Sequence, residues 1–138
     1  PDLFRYKSKR LNNFFVNSSD EKSIKKNIID RQIIFDIIIE DASHSQKDQI
    51  LSLFSLFRIL NNKGLFIIEE LDFPDTRKDM NLNNEKPTLR EILNNIINKD
   101  NFYSKFIKED DKKYFLDNYL SINIFKGNFN EVAIIKKK

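Results

Sequence analysis

The chain has no cysteine, one histidine, two glycines and three prolines among its 138 residues. Without cysteine, disulfide bonds and thiolate metal sites are excluded, and a single histidine excludes a histidine-rich zinc site. The metal chemistry that remains uses hard oxygen ligands, which favour magnesium, calcium or manganese. We therefore expect carboxylates to form the main part of any metal site.

The chain also lacks a long apolar segment and a strong excess of one charge. No apolar run approaches the roughly 20 residues of a membrane span, and no signal peptide opens the chain, so we expect a cytoplasmic protein without a membrane partner. The net charge is only +3, and the one basic cluster is the tail at residues 136–138. Nucleic-acid binding normally needs a basic stripe on one face, so the tail is interpreted as a solvated terminus.

The length suits one domain with a single core. The chain begins with Pro1 and Asp2, and its first apolar strand candidate has nothing upstream to pair with. We therefore expect residues 1–138 to form one partial domain that lacks its first strands. The exposed sheet surface that this leaves would favour self-association, so a homo-oligomer is one expected state.

One apolar run ends abruptly on acidic residues. Residues 35–40 read Phe-Asp-Ile-Ile-Ile-Glu, and Asp41, Ala42, Ser43 and the only histidine, His44, follow. Three β-branched residues in so short a run predict a strand that is buried on both faces. In an open α/β sheet, ligands bind at the carboxyl ends of parallel strands, which is where Asp41 and His44 are expected to lie.

A second apolar run repeats this arrangement. Residues 65–68 read Leu-Phe-Ile-Ile and are followed by Glu69 and Glu70. If the two runs are neighbouring parallel strands, their acids share one sheet edge and can hold a hard divalent cation. A neutral histidine beside the ion could take a proton from a bound hydroxyl group.

Periodicity and turn residues predict the remaining elements. Helices are expected at residues 3–10, 21–29, 46–60 and 89–98, and strands at 13–17, 35–40, 65–69, 119–125 and 131–135. Gly64 is expected to end the helix at 46–60 in the left-handed conformation. Residues 72–87 contain two prolines and no apolar period, so they are interpreted as an active-site loop. Residues 99–118 are interpreted as a polar segment that leads to the strand at 119–125, and no helix is predicted within it.

This element order predicts an α/β fold, with a Rossmann-like, mostly parallel sheet flanked by helices. The last two strands are joined by a hairpin-like turn around Gly127 and are predicted to form a terminal antiparallel pair. A parallel sheet that ends in an antiparallel pair resembles the class I S-adenosylmethionine-dependent methyltransferases.

Residues 35–44 together with residues 64–70 resemble a particular branch of that class, the macrocin-type sugar O-methyltransferases of macrolide biosynthesis. The resemblance is good over about residues 13–72 and follows only the outline elsewhere. It implies that Asp41, Glu69 and Glu70 are magnesium ligands and that His44 is the general base. The cofactors would be S-adenosylmethionine and Mg²⁺, and the acceptor a sugar-like small molecule with a free hydroxyl group.

The resemblance also implies cofactor-binding residues. Ser18, Ser19 and Asp20 follow the strand expected at 13–17, where the fold typically holds the adenine. Glu40 precedes Asp41 and is expected to point either to the other side of the sheet or toward the cofactor. One feature of the family is missing, because no glycine-rich loop occurs in this chain. Gly64 and Gly127 are the only glycines, and neither lies in such a loop.

Each of these residues has a structural alternative. Asp41 could cap the following helix, Glu69 and Glu70 could be a solvated strand end, His44 could simply begin a helix, and Asp20 could be an N-cap. A non-catalytic remnant of the fold and a relative of cephalosporin hydroxylase are alternative functions for the whole chain. A catechol-type methyltransferase is less consistent with the sequence, because a lysine base would then be expected.

Overall fold

A computed structural model describes residues 9–138, which form five α-helices and four strands. The helices are α1 (Glu21–Asn27), α2 (Gln46–Leu56), α3 (Phe73–Thr76), α4 (Leu89–Asn98) and α5 (Glu109–Asn118). The strands are β1 (Phe35–Glu40), β2 (Leu60–Ile68), β3 (Tyr119–Lys126) and β4 (Glu131–Lys137). Short 3₁₀ turns occupy Ile29–Arg31, Phe57–Ile59 and Lys78–Met80. Most of the helix predicted at 3–10 lies outside the described residues.

The four strands form one mixed sheet in the order β1-β2-β4-β3. β1 and β2 are parallel, with α2 between them along the chain, while β4 runs antiparallel to both β2 and β3. The α/β fold class and the terminal antiparallel pair are therefore confirmed. The register aligns Glu40 with Ile68, so β1 and β2 end at the same sheet edge.

The core lies between one face of the sheet and the helices. Phe66 and Ile68 of β2 are fully buried in the same cluster as Leu53 of α2, Leu93 of α4 and Phe115 of α5. Because side chains alternate across a strand, Leu65 and Ile67 of β2 lie on the other face of the sheet, where they are only partly buried. In the described part of the chain, no helix is both long enough and apolar enough to cross a membrane.

β1 corrects one expectation, because it is not buried on both faces. Ile37 and Ile39 are 55% and 58% exposed, whereas Glu40 is buried. Among the described residues β1 is an edge strand, and the helices of the core contact only the face opposite Ile37 and Ile39. Although residues 37–39 are all apolar, only the face of β1 that carries Ile38 and Glu40 is turned toward the core.

The end of the second helix corrects another expectation. α2 ends at Leu56, a 3₁₀ turn follows, and β2 begins at Leu60, so Gly64 lies inside a strand and has no positive φ. The left-handed residue is Lys63, with φ 64°. Glycine is needed at position 64 for a different reason. A Cβ there would lie 2.8 Å from the Asn61 carbonyl oxygen and 2.9 Å from the Asp36 carbonyl oxygen.

Replacing Gly64 with Ala is therefore expected to lower the free energy of unfolding by about 1–3 kcal/mol, the usual cost of overpacking. The Asp36 oxygen belongs to the paired strand β1 and the Asn61 oxygen to β2 itself, so relief of both contacts requires a shift of backbone and not only of a flexible side chain. Urea denaturation of the variant measures the loss. Gly127→Ala is the matched control, because its Cβ would meet only Asn130 at 3.0 Å in the hairpin turn. An equal loss in both variants would contradict this explanation.

Three further segments differ from or refine the sequence prediction. Residues 11–17 contain no strand, because nothing in the described chain pairs with them and Phe15 remains 87% exposed. The polar segment at 99–118 instead contains α5, which buries Phe115 and places three acids in its first turn. The loop at 72–87 contains the single turn of α3 and a 3₁₀ turn. The helix at 89–98 is confirmed, and Thr88 with Glu91 forms its capping box.

Candidate active site

The carboxyl ends of β1 and β2 bring the two acidic segments together. The Glu69 N–H donates a hydrogen bond of 3.1 Å to the Glu40 carbonyl oxygen, which extends the parallel pairing by one residue. Immediately afterwards, Glu70 adopts a left-handed conformation with φ 51°, and His44 on the other loop has φ 56°. Left-handed residues other than glycine are uncommon and often occur at functional sites.

Asp41, His44 and Glu70 form one compact group at this edge. His44 Nδ1 lies 2.8 Å from Glu70 Oε2, and His44 Nε2 lies 3.6 Å from Asp41 Oδ1. One ligand atom of each residue lies within 4.8 Å of the other two. The side chains of His44 and Glu70 are only 19% and 24% exposed, whereas that of Asp41 is 57% exposed. The group is therefore open to solvent on the Asp41 side.

Two atoms of this group lack a hydrogen bond. Within residues 9–138, His44 Nδ1 and Glu70 Oε2 are buried and have no hydrogen-bond partner, because their 2.8 Å contact does not have hydrogen-bonding geometry. Buried polar atoms without a partner are uncommon in folded proteins. A bound cation or a substrate hydroxyl group at this position would satisfy them. The two carboxylates suit Mg²⁺ as hard oxygen ligands, and the imidazole lies beside the position that such an ion would take.

Glu69, the third predicted magnesium ligand, lies at the same sheet edge but outside this group. Its backbone continues the ladder, and the left-handed turn comes one residue later. The side chain of Glu70, and not that of Glu69, is thereby brought beside His44. Asp41 and Glu70 remain predicted ligands that the structure brings together, and Glu69 remains a predicted ligand whose carboxylate would have to move.

Two residues that the sequence analysis did not select support the group. The Phe73 ring packs edge-to-face on His44, with 5.7 Å between the centroids. Gln49, fully buried in α2, donates a hydrogen bond of 3.1 Å from Nε2 to the Glu70 carbonyl oxygen and thereby fixes the left-handed turn. Phe73 lies in the predicted loop and Gln49 in the middle of an apolar helix, so neither position carried a sequence signal of its own.

Glu40 is the second unusual carboxylate of the site. It is 5% exposed, and neither carboxylate oxygen has a hydrogen-bond partner. Burial raises the pKa of Glu40 above its ordinary value, and the nearby Ala42 backbone N–H and the His44 imidazole partly oppose this rise. Glu40 lines a cavity of about 270 Å³ together with Ser18 and apolar residues of α1 and α2.

The predicted adenine-binding residues lie on the loop before α1. Asp20 is the N-cap of α1 and accepts a hydrogen bond of 3.0 Å from the Lys22 N–H. Capping was the alternative to cofactor binding that the sequence analysis left open for this residue. Ser18 and Ser19 instead direct their hydroxyl groups toward Asp48 of α2, at 3.5 and 2.7 Å. Ser18 also lines the cavity of Glu40. The structure therefore brings this loop close to β1, while its role in cofactor binding remains a prediction.

Solved structures with the same fold are known. The chain aligns with MycE methyltransferase from the mycinamycin biosynthetic pathway, in a complex with Mg, SAH and mycinamycin VI, at 20% sequence identity and a TM-score of 0.69. That alignment covers 95% of this chain and 33% of the MycE chain. A second structure of MycE, with Mg and SAH, aligns at 21% identity and a TM-score of 0.64 over 88% of this chain and 30% of that one.

The chain shares the fold of these methyltransferases. It spans about a third of their length. No protein-family model and no curated protein matches the chain. The comparison therefore shows the fold, and the chemistry has to be argued from the residues at the sheet edge.

Proposed function

We propose that the protein is a Mg²⁺-dependent, S-adenosylmethionine-dependent O-methyltransferase that acts on a hydroxyl group of a sugar or a glycosylated small molecule. The observation that carries this proposal is the convergence of Asp41, His44 and Glu70 within 4.8 Å at the carboxyl ends of two parallel strands. It is supported by the fold shared with a methyltransferase solved with Mg, SAH and a macrolide. SAH is what S-adenosylmethionine becomes after it gives up its methyl group.

The carboxylates of Asp41 and Glu70 would hold the metal ion, with Glu69 as the further predicted ligand. When bound, Mg²⁺ makes a coordinated hydroxyl group more acidic, and S-adenosylmethionine supplies the methyl group. The protein has to hold the acceptor oxygen and the methyl donor at near-attack distance. The open side of the group, where Asp41 is more than half exposed, gives an acceptor access to this position.

His44 would take the proton of the acceptor hydroxyl group. Its Nδ1 faces Glu70 at 2.8 Å and its ring packs on Phe73, so two contacts from the β2 side fix the orientation of the imidazole. Nε2 is then the nitrogen that accepts the proton. An imidazole is suited to this task because its unperturbed pKa lies close to physiological pH.

Glu40 would bind an N–H or O–H donor of the cofactor. A buried carboxylate with two unpartnered oxygens is costly to maintain, and a donor group in the adjoining cavity would remove that cost. The loop of Ser18, Ser19 and Asp20 borders the same region and would contact the adenine. The carboxylate of Glu40 and this loop would together form the cofactor side of the site.

Replacing Glu40 with Gln is therefore expected to weaken SAH binding by about 10–100-fold, which corresponds to one hydrogen bond to a charged group. Mg²⁺ affinity should stay nearly unchanged, because Glu40 is not part of the group of Asp41, His44 and Glu70. Calorimetric titration of the full-length protein with each ligand separates the two effects. A variant that binds SAH normally, or loses Mg²⁺ instead, would exclude Glu40 from the cofactor site.

The function itself is tested by methyl transfer in the full-length protein. S-adenosylmethionine with a labelled methyl group is incubated with sugar-bearing acceptors and with their aglycones, with and without a chelator. We expect label on the glycosylated acceptors only, and no transfer after chelation. Binding of SAH without transfer to any hydroxyl acceptor would favour the non-catalytic alternative, and transfer that resists chelation would contradict the metal-dependent mechanism.

A further inference from the structure

One buried carboxylate connects the two loops of the proposed site. Asp48 lies in the first turn of α2, is 2% exposed and points its Oδ2 at three serine hydroxyl groups. Ser18 and Ser19 come from the loop before α1, and Ser43 comes from the loop between β1 and α2, directly before His44. Among the described hydrogen bonds and ion pairs, none joins Asp48 to Asp41 or Glu70, although its charge acts on the neighbouring Glu40 and helps to raise the pKa of that carboxyl.

The direction of hydrogen-bond donation in these contacts is fixed by the carboxylate. A carboxylate oxygen can only accept, so in the two close contacts Ser19 and Ser43 donate their hydroxyl hydrogens to Asp48. Ser43 also lies 3.3 Å from the Ser45 hydroxyl group, and Ser18 is more distant from Asp48, at 3.5 Å. Hydrogen bonds to a carboxylate are roughly twice as strong as those between neutral groups. With that hydrogen occupied, the Ser19 and Ser43 oxygens can act only as acceptors toward any other group. Both residues are exposed on the side away from Asp48.

We propose that Asp48 is a positioning residue that links the predicted adenine loop to the loop of the base His44. By accepting from Ser19 and Ser43 at the same oxygen, it makes the position of one loop depend on the other. A ligand N–H group at Ser19, such as the amino group of an adenine, would find an acceptor already oriented, and the effect would reach His44 through Asp48 and Ser43. The role of the adenine and of the base rests on the proposed function, whereas the link between the loops does not.

The link also has a local rationale in the fold. Asp48 follows the N-cap Ser45, whose Oγ accepts from the Asp48 N–H at 3.4 Å. The residue is thus fixed in the first helical turn, where a carboxylate is favoured by the helix dipole. Lys47, its neighbour, donates a hydrogen bond of 2.7 Å to the Ser19 carbonyl oxygen and holds the same loop from outside. The helix end is therefore the rigid part to which both loops are attached.

The test follows the His44 ring resonances by NMR in the ligand-free, full-length protein, assigned by their loss in His44→Gln. Ser19→Ala is expected to shift them although Ser19 lies on another loop. The same substitution should have no effect in an Asp48→Ala background. Ser23→Ala is the matched control, because its hydroxyl bonds only within its own segment, to Asn17 and Asn27.

Two results would overturn the link: a Ser19→Ala shift that persists without Asp48, or no shift at all in the natural background. Ser43→Ala gives an independent measurement at an exposed position that does not threaten folding. It should remove the response of His44 to Ser19→Ala as Asp48→Ala does, and a response that remains would also contradict the proposal.

A second titration separates this inference from the proposed function. Addition of SAH should shift the His44 signals in the natural protein. In Asp48→Ala, SAH should still bind but leave the His44 signals in place, and turnover should fall by about 10–100-fold, the range usual for residues that orient a site from outside it. A protein that does not bind SAH would refute the proposed function, while the ligand-free test would still decide the link.

Discussion

Replacing His44 with Ala is expected to lower the turnover of methyl transfer by about 10²–10⁴-fold, the usual contribution of a positioned general base. SAH affinity should change little, because in the proposed function Glu40 and the loop of Ser18 and Ser19, and not His44, bind the cofactor. The imidazole is held by Glu70 at 2.8 Å and by the edge of Phe73, so its removal takes away the proton acceptor without disturbing a core residue. Turnover and calorimetric SAH binding are measured on the full-length protein.

His44→Gln is the matched variant for this prediction. Glutamine is polar and can occupy much of the same space, but it has no nitrogen that takes up a proton near neutral pH. We expect it to be as inactive as His44→Ala while it binds SAH normally. Turnover that survives in both variants would mean that another residue is the base. A collapse of SAH binding would instead make His44 part of the cofactor site.

The positions of the acidic segments could be predicted from the sequence because two simple rules act together there. Apolar runs of strand length that are separated by a helix give parallel neighbours, and parallel neighbours end at one edge. The structure places Asp41 and Glu70 there accordingly. The helix at 89–98 was predictable for a similar reason, since Thr88 and Glu91 form a capping box ahead of a regular apolar period.

The features that the sequence did not reveal depend on tertiary contacts. The choice of Glu70 over Glu69 follows from a left-handed residue that is not glycine. The buried Gln49 that holds this turn bonds to Glu70 across 21 residues of sequence. α5 was missed because it buries only Phe115. The strand predicted at 13–17 was wrong. A segment with high β propensity becomes a strand only when it pairs with another strand, and residues 13–17 pair with none of the described strands.

The inferred role of Asp48 also depends on tertiary contacts and could not be predicted from the sequence. Its position in α2 predicted only a polar residue in the first turn of a helix, which is a common place for an acid. Its contacts with Ser19 and Ser43 span 29 and 5 residues of sequence, and no periodicity joins them. A buried acid that collects hydroxyl groups from two loops can be recognised only once those loops have been placed.

Removing either carboxylate of the proposed metal site is expected to weaken Mg²⁺ binding by at least about 100-fold. Changes outside a metal's direct ligands already cost 10–100-fold, and Asp41→Asn or Glu70→Gln takes away a ligand charge while it keeps the side-chain shape. Turnover should fall with the metal affinity, because the acceptor hydroxyl group is then no longer made acidic. Calorimetric titration with Mg²⁺ and the methyl-transfer assay measure the two losses.

Two further variants make this prediction specific. Glu69→Gln should cost less Mg²⁺ affinity than Glu70→Gln, because the Glu69 carboxylate lies outside the group and would have to move to reach an ion. Asp36→Asn is the matched control, since Asp36 is an exposed acid at the opposite end of β1 that bonds to Asn61 at 2.7 Å. Equal losses for all four variants would indicate a general charge effect. Losses confined to Asp41, Glu70 and, to a smaller degree, Glu69 are what a metal site at this sheet edge requires.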